Sequence, residues 1–247
     1  MARRDREVGV IRSCVLAAAF VAGLALPAQA VDKKLTLSAT TVLTTDYMFR
    51  SISNTNQRPA AQAEFDAYYG IFYAGIWGSN TAFGDGIEID YYVGLTPKWG
   101  PVTFNFAALY YSYPGANSEI GYFEAKAGAS YTTGQWTLGI NDYWSPDNFQ
   151  FFGESNAIEG SVAYAFAGKL FNFFSPTVSG TLGFQSYEVN ANDYTYWNAG
   201  LTLGFMTNFS VDARYYDTNY NDTECLAQSG ARNNCDARVV GTLKAVF

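Results

Sequence analysis

From about residue 35 to the C terminus, apolar and polar side chains alternate with a period of two, the spacing that puts successive residues on opposite faces of an extended strand. In 87–95, Ile87, Ile89, Tyr91, Val93 and Leu95 share one face, while Glu88, Asp90, Tyr92 and Gly94 share the other. In 209–216, Phe209, Val211, Ala213 and Tyr215 oppose Ser210, Asp212, Arg214 and Tyr216. The same pattern runs through 61–69, where Gln62, Glu64 and Asp66 face away from Ala61, Ala63, Phe65 and Ala67, and again through 158–166. One greasy face and one charged face, repeated along the chain, call for a sheet between two different solvents. Beyond residue 30 no apolar run approaches the ~18 residues of a spanning helix, whereas a transmembrane barrel needs only alternation. A soluble β-sandwich is the competing class.

Alternation and turn residues place strands near 35–49, 58–69, 71–79, 86–95, 101–111, 118–132, 135–144, 157–167, 175–187, 193–205, 208–220 and 236–247. That makes about twelve strands, an all-β, antiparallel up-and-down barrel. Odd-numbered links are long and polar (50–58, 113–117, 145–156, 187–192 and 221–235), whereas even-numbered links are short, apart from a longer 169–174. Outer-membrane barrels show this asymmetry, with short turns and both termini on the periplasmic side.

The N terminus reads as a targeting segment. Arg3, Arg4, Arg6 and Arg12 precede an apolar stretch from Cys14 to Leu26, and Ala28-Gln29-Ala30 supplies a small-x-small cleavage site. Residues 1–30 are therefore expected to be a signal peptide cleaved after Ala30, leaving 31–247 as one barrel domain. The apolar stretch is shorter than the ~20 residues of a membrane anchor. Cys14 lacks an apolar lipobox and precedes the apolar stretch, which argues against lipidation. The remaining cysteines, Cys225 and Cys235, share the last long loop and are expected to form a disulfide in an oxidising compartment, with free thiols as the alternative.

Composition narrows the function. The formal net charge of −7 argues against nucleic acid as a partner. With no histidine in the chain, serine hydrolysis lacks its usual proton acceptor and two cysteines do not complete a zinc shell. No catalytic residue, metal ligand or cofactor site is expected, and the chain reads as a non-enzyme. Aromatic residues make up 17% of the chain. Those near strand ends, Tyr47, Tyr110, Tyr111, Tyr143, Trp144, Tyr187 and Trp197, are expected in interfacial belts. At the C terminus, Val239, Gly241, Leu243, Ala245 and the terminal Phe247 lie on one face, similar to the final-strand pattern by which the outer-membrane assembly machinery recognises its clients.

The stretch Thr45-Asp46-Tyr47-Met48-Phe49-Arg50-Ser51-Ile52-Ser53, followed by Pro59-Ala60-Ala61-Gln62, resembles the TorF-type (Gcw-chp) family of proposed porins. Further matching stretches are 70–80 (GIFYAGIWGSN), 88–94 (EIDYYVG) and 110–114 (YYSYP), so the resemblance is strongest over about residues 35–125. Ser51 stands where the family pattern has Gly, a departure that bears on the local bend. The resemblance implies an outer-membrane barrel with a proposed porin role and supplies no substrate or catalytic residue.

With the acidic faces turned to the lumen, Glu64, Asp66, Glu88, Asp90, Glu124, Glu159 and Asp212 point inward, with Lys126, Arg214, Arg238 and Lys244 as a basic minority. The expected function is passive diffusion of small hydrophilic solutes or ions through the outer membrane, with a mild cation preference because carboxylate rings favour cations. The partners are then outer-membrane lipids, the barrel-assembly machinery and the solute. Two alternatives stay open: the charges pair across strands and plug the interior, or the barrel is closed and its outer loops bind at the surface. In the second case the aromatic loop 144–152 (WSPDNFQFF) contacts a ligand or folds into the mouth.

Overall fold

The computed structural model of the chain describes residues 34–247 except 117, 119 and 190, so the expected signal peptide lies outside the described residues. Twelve strands form the wall: β1 (Leu35–Thr44), β2 (Ala60–Tyr69), β3 (Phe72–Asn80), β4 (Ile87–Leu95), β5 (Val102–Ser112), β6 (Tyr122–Thr133), β7 (Trp136–Ser145), β8 (Ser155–Ala165), β9 (Ser175–Tyr187), β10 (Tyr194–Phe205), β11 (Phe209–Thr218) and β12 (Arg238–Val246). Each pairs antiparallel with its neighbours in sequence, and β12 pairs with β1 from Thr40↔Val246 to Thr44↔Thr242. Closure gives every strand two partners and leaves no free edge, the condition for a sheet in hydrocarbon.

The wall has the two faces that alternation requires. Its outer surface exposes Leu35, Leu37, Phe65, Phe72, Val93, Ile140, Leu182 and Val239 among others, an apolar belt whose natural solvent is lipid. The inner face carries the buried polar set, including Asp66, Glu88, Asp90, Glu124 and Gln185. Tyrosines lie flat against the inner wall wherever the opposite strand supplies glycine: Tyr92 faces Gly75, Tyr73 faces Gly94 and Tyr196 faces Gly183. A Cβ at Gly183 would come within 2.2 Å of the Tyr196 ring, so glycine is required for that close approach.

Short turns gather at one end with the N-terminal edge of β1 and the C terminus. Gly70 and Gly134 take positive φ there (65° and 56°), conformations that cost glycine nothing. The long connections crown the other end. The last of them carries the one α-helix among the described residues, α1 (Asp222–Ser229), which is not long or apolar enough to cross a membrane. Asn221 caps α1 by accepting from Thr223 N and Glu224 N while Glu224 returns a bond to Asn221 N, a complete capping box.

One expected boundary is wrong in an informative way. Strand β1 does not continue to residue 49 but ends at Thr44, and residues 45–59 leave the wall, with 46–55 folding into the barrel and 56–59 exposed. There Met48–Phe49 pairs with Ile52–Ser53, and the turn between them places Arg50 and Ser51 at φ 47° and 61°. Positive φ at both central residues is the pattern of a tight type I′ hairpin, which explains why glycine suits position 51 and marks Ser51 as a strained substitute.

Candidate functional site

The inward hairpin places Arg50 against the lumen wall. Its Nη1 donates to Glu124 Oε1 on β6 (2.9 Å) and to Gln185 Oε1 on β9 (2.7 Å), and its Nη2 donates to Glu124 Oε2 (2.9 Å). The fork-on-carboxylate geometry gives a strong, oriented pair. The guanidinium also lies 4.7 Å from the Phe49 ring centroid and 4.9 Å from that of Tyr143 on β7. Tyr111 on β5 donates to Glu124 Oε2 (2.9 Å), and Ser51 and Tyr194 tie the turn to β10 through Ser51 Oγ to Trp197 O (3.0 Å) and Tyr194 Oη to Arg50 O (3.3 Å). The hairpin tip is thereby fixed to four wall strands, and Phe49 against the Tyr111 ring (centroids 5.9 Å apart) adds a fifth, so the hairpin forms a partial septum in the lumen.

Two cavities lie on either side of it, both walled by Phe49 and Arg50. The chamber toward the short-turn end holds about 530 Å³ and is lined by Glu64, Asp66, Tyr73, Tyr92, Lys126 and Glu159 among others. The chamber toward the long loops holds about 500 Å³ and is lined by Phe83, Tyr113, Phe149, Phe152, Tyr187 and Asn234 among others. The loop after β7 folds over this outer mouth: Phe149 packs on Tyr113 and Tyr122, and Phe152 on Tyr187.

The inward charges fall into two groups. Arg50, Arg214 and Arg238 each pair with a carboxylate, Glu124 (2.9 Å), Asp212 (3.1 Å) and Asp46 (2.9 Å) respectively. Glu64, Asp66, Glu88 and Glu159 instead sit beside tyrosine hydroxyls. Tyr92 Oη lies between Glu64 Oε1 (2.8 Å) and Asp66 Oδ1 (2.6 Å), Tyr196 donates to Glu159 Oε1 (2.8 Å), and Tyr47 and Tyr113 converge on Glu88 Oε1 (3.4 and 3.3 Å). A phenol satisfies a carboxylate oxygen without neutralising its charge. Burial, then the nearby Glu88 and Asp90 charges, raises the Tyr47 phenol well above its usual range; burial and Glu88 do the same to Tyr113. Both loop tyrosines therefore stay protonated donors. Glu88 Oε2 and Asp90 Oδ1 are buried with no protein partner among the described residues, so each calls for hydration from the lumen. Lys126 lies 5.2 Å from the Tyr143 ring centroid, and Lys244, opposite Ser210, shares the inward face near the C terminus.

The belt assignment needs correction. Tyr110 and Trp144 are exposed on the outside, and Trp197 stands opposite the outward Leu182. Tyr47, Tyr111, Tyr143 and Tyr187 face the interior, because their hydroxyls and rings serve the septum and the mouth. Of the C-terminal set, Val239, Leu243 and Phe247 are exposed on the outer face shared with Gly241 and Ala245, and Phe247 N donates to Ala39 O (2.8 Å), extending the β1–β12 ladder. Cys225 and Cys235 are bonded and buried beneath the last loop. Sequence reasoning missed Arg50 and Gln185 as site residues. The available signal was an arginine that follows two aromatic residues, Tyr47 and Phe49, at the start of a link read as a loop.

Residues 28–247 match the family described as "Bacterial protein of unknown function (Gcw_chp)". No curated protein sequence matches the chain significantly. Among solved structures, the KdgM porin is similar at TM-score 0.57 and 8% identity, over 85% of this chain and 99% of that one. A NanC porin structure is similar at TM-score 0.50 and 13% identity, over 85% and 98%. At such identities the likeness is one of fold, a closed antiparallel barrel.

Proposed function

The chain belongs to the Gcw_chp family, and on that premise we propose that it is an outer-membrane channel for passive diffusion of small hydrophilic solutes, narrowed by an inward-folded loop. The observation that carries this reading is the interior: a polar, charge-lined chamber of about 530 Å³ and a largely aromatic one of about 500 Å³, with Phe49 and Arg50 of the inward hairpin walling both. The barrel neighbours, both titled porins, support the same reading. In this account the chain is exported with a signal peptide cleaved after Ala30, is assembled through its C-terminal strand pattern, and sits in lipid by its apolar belt. The TorF-type assignment within the family belongs to the same proposal.

Selectivity follows from which charges are compensated. The three arginines are spent on carboxylates, whereas Glu64, Asp66 and Glu159 keep their negative field beside neutral phenols, against Lys126 and Lys244. Cations are thus mildly favoured. The reversal potential of the refolded protein in a planar bilayer under a salt gradient tests this, with a cation-selective sign expected and an anion-selective sign contradicting it. The aromatic cover over the outer mouth favours one second reading, a barrel closed at rest whose loops bind at the surface. Folded protein that is electrically silent would select it.

A further inference from the structure

We propose that the disulfide-stapled segment 219–237 is a latch that positions the inward hairpin, and through it Arg50, so that the aperture is set from the outer end of the barrel. The inference rests on the channel reading above. Its starting point is that the hairpin cannot hold itself: its own ladder is two residues on each side, and an isolated two-stranded hairpin is at best marginally stable. Its placement must come from what it leans on. The tip leans on the wall through Arg50, Ser51 and Tyr194. The base leans on the last loop.

Contacts at the base are numerous and specific. Ile52 packs in one buried cluster with Cys225, Cys235, Tyr194 and Tyr196. Ser53 N donates to Asn234 O (2.9 Å), Asn234 Nδ2 to Asn56 Oδ1 (2.9 Å), and Gln57 Nε2 to Asn233 O (3.1 Å). Arg238, where the loop rejoins the wall, binds Asp46 Oδ2 (2.9 Å) and also Asn233 O. The other oxygen of Asp46 accepts from Ser53 Oγ (2.6 Å) and Thr55 Oγ1 (2.8 Å), so a single carboxylate ties both arms of the hairpin to β12. The disulfide closes the stretch from α1 to Cys235 against the chain entropy that would pull Asn233 and Asn234 away from the hairpin. Cys225, Cys235 and Asn234 are therefore positioning residues. They do not line the septum and act on it through Ile52, Ser53 and Asn56.

The test compares full-length refolded chains: wild type, Arg50→Ala, Cys225→Ala/Cys235→Ala, and the three substitutions combined, each first shown to be folded by heat-modifiable gel migration. Two readouts are taken, single-channel conductance and trypsin cleavage after Arg50 followed by mass spectrometry. The latch predicts that the cysteine pair variant conducts severalfold more than wild type, that adding Arg50→Ala to it raises conductance no further, and that cleavage after Arg50, blocked in wild type, appears. Asn234→Ala should move both readouts in the same direction by less. Cleavage that appears while no chain conducts supports the latch and counts against the channel. Unchanged conductance together with an uncut Arg50 in folded cysteine-free protein overturns the latch.

Discussion

Arg50 and Glu124 are a buried ion pair, 6% and 1% exposed, in a lumen otherwise rich in uncompensated acid. Removing one partner strands the other. Breaking a buried pair typically costs about 3–5 kcal/mol, so Arg50→Ala should lower unfolding stability in urea by about 3 kcal/mol while enlarging the conductance step, whereas Glu124→Gln keeps part of the bonding and should do less on both counts. A second residue-scale prediction concerns Gly183, whose missing Cβ lets the Tyr196 ring lie against the wall and reach Glu159. Gly183→Ala should push Tyr196 into the lumen, cost about 1–3 kcal/mol as an overpacking defect, and reduce conductance in bilayer recordings. The facing of the charged residues was legible in the sequence because period two is a property of the extended backbone. The tyrosines were not, since an aromatic ring at a strand end suits a lipid interface and a wet lumen equally well. Alternation nonetheless held the answer for two pairs: Tyr110 and Tyr111, like Tyr143 and Trp144, are adjacent in one strand and cannot share a face.

Among the elements, all twelve wall strands were legible, and the hairpin at 48–53 was not. Thr41 to Phe49 reads as a continuation of β1 because the residues that turn the chain inward, Thr44, Thr45 and Asp46, carry no glycine or proline. The bend is made instead by side chains: Thr44 Oγ1 donates to Asp46 O (2.8 Å), and Thr45 Oγ1 accepts from Gly241 N (3.0 Å). Where the structure needs positive φ, at Arg50, Ser51, Asn56 and Gln57, the sequence offers no glycine as a warning. The last loop shows a mixed case: its cysteine pair was legible, whereas helix α1 and its Asn221 cap were not, and the two devices are energetically separable. In the chain-entropy model, removing the disulfide should cost about 2–3 kcal/mol for a loop this short. Asn221→Ala removes only the helix cap and should cost about 1 kcal/mol, seen as faster amide exchange confined to residues 222–229 with the barrel midpoint little changed.

At the scale of the whole molecule, closure is what permits an apolar outside and a charged inside to coexist. Residues on β1 and β12, first and last in the chain, complete the ladder, and Phe247 bonds back to Ala39. The barrel can therefore close only once the entire chain is present, so deleting the final strand should abolish the heat-modifiable form on gels instead of yielding a smaller folded barrel. The inward loop then decides how much of the enclosed space is usable. Single-channel conductance of the refolded chain, beside a variant in which residues 47–56 are replaced by a short glycine-serine turn, tests that account most directly. A permeable lumen narrowed by its own loop predicts small, stable steps for the wild type and severalfold larger ones for the variant. Two folded proteins that both leave the bilayer silent, or that conduct alike, would contradict it.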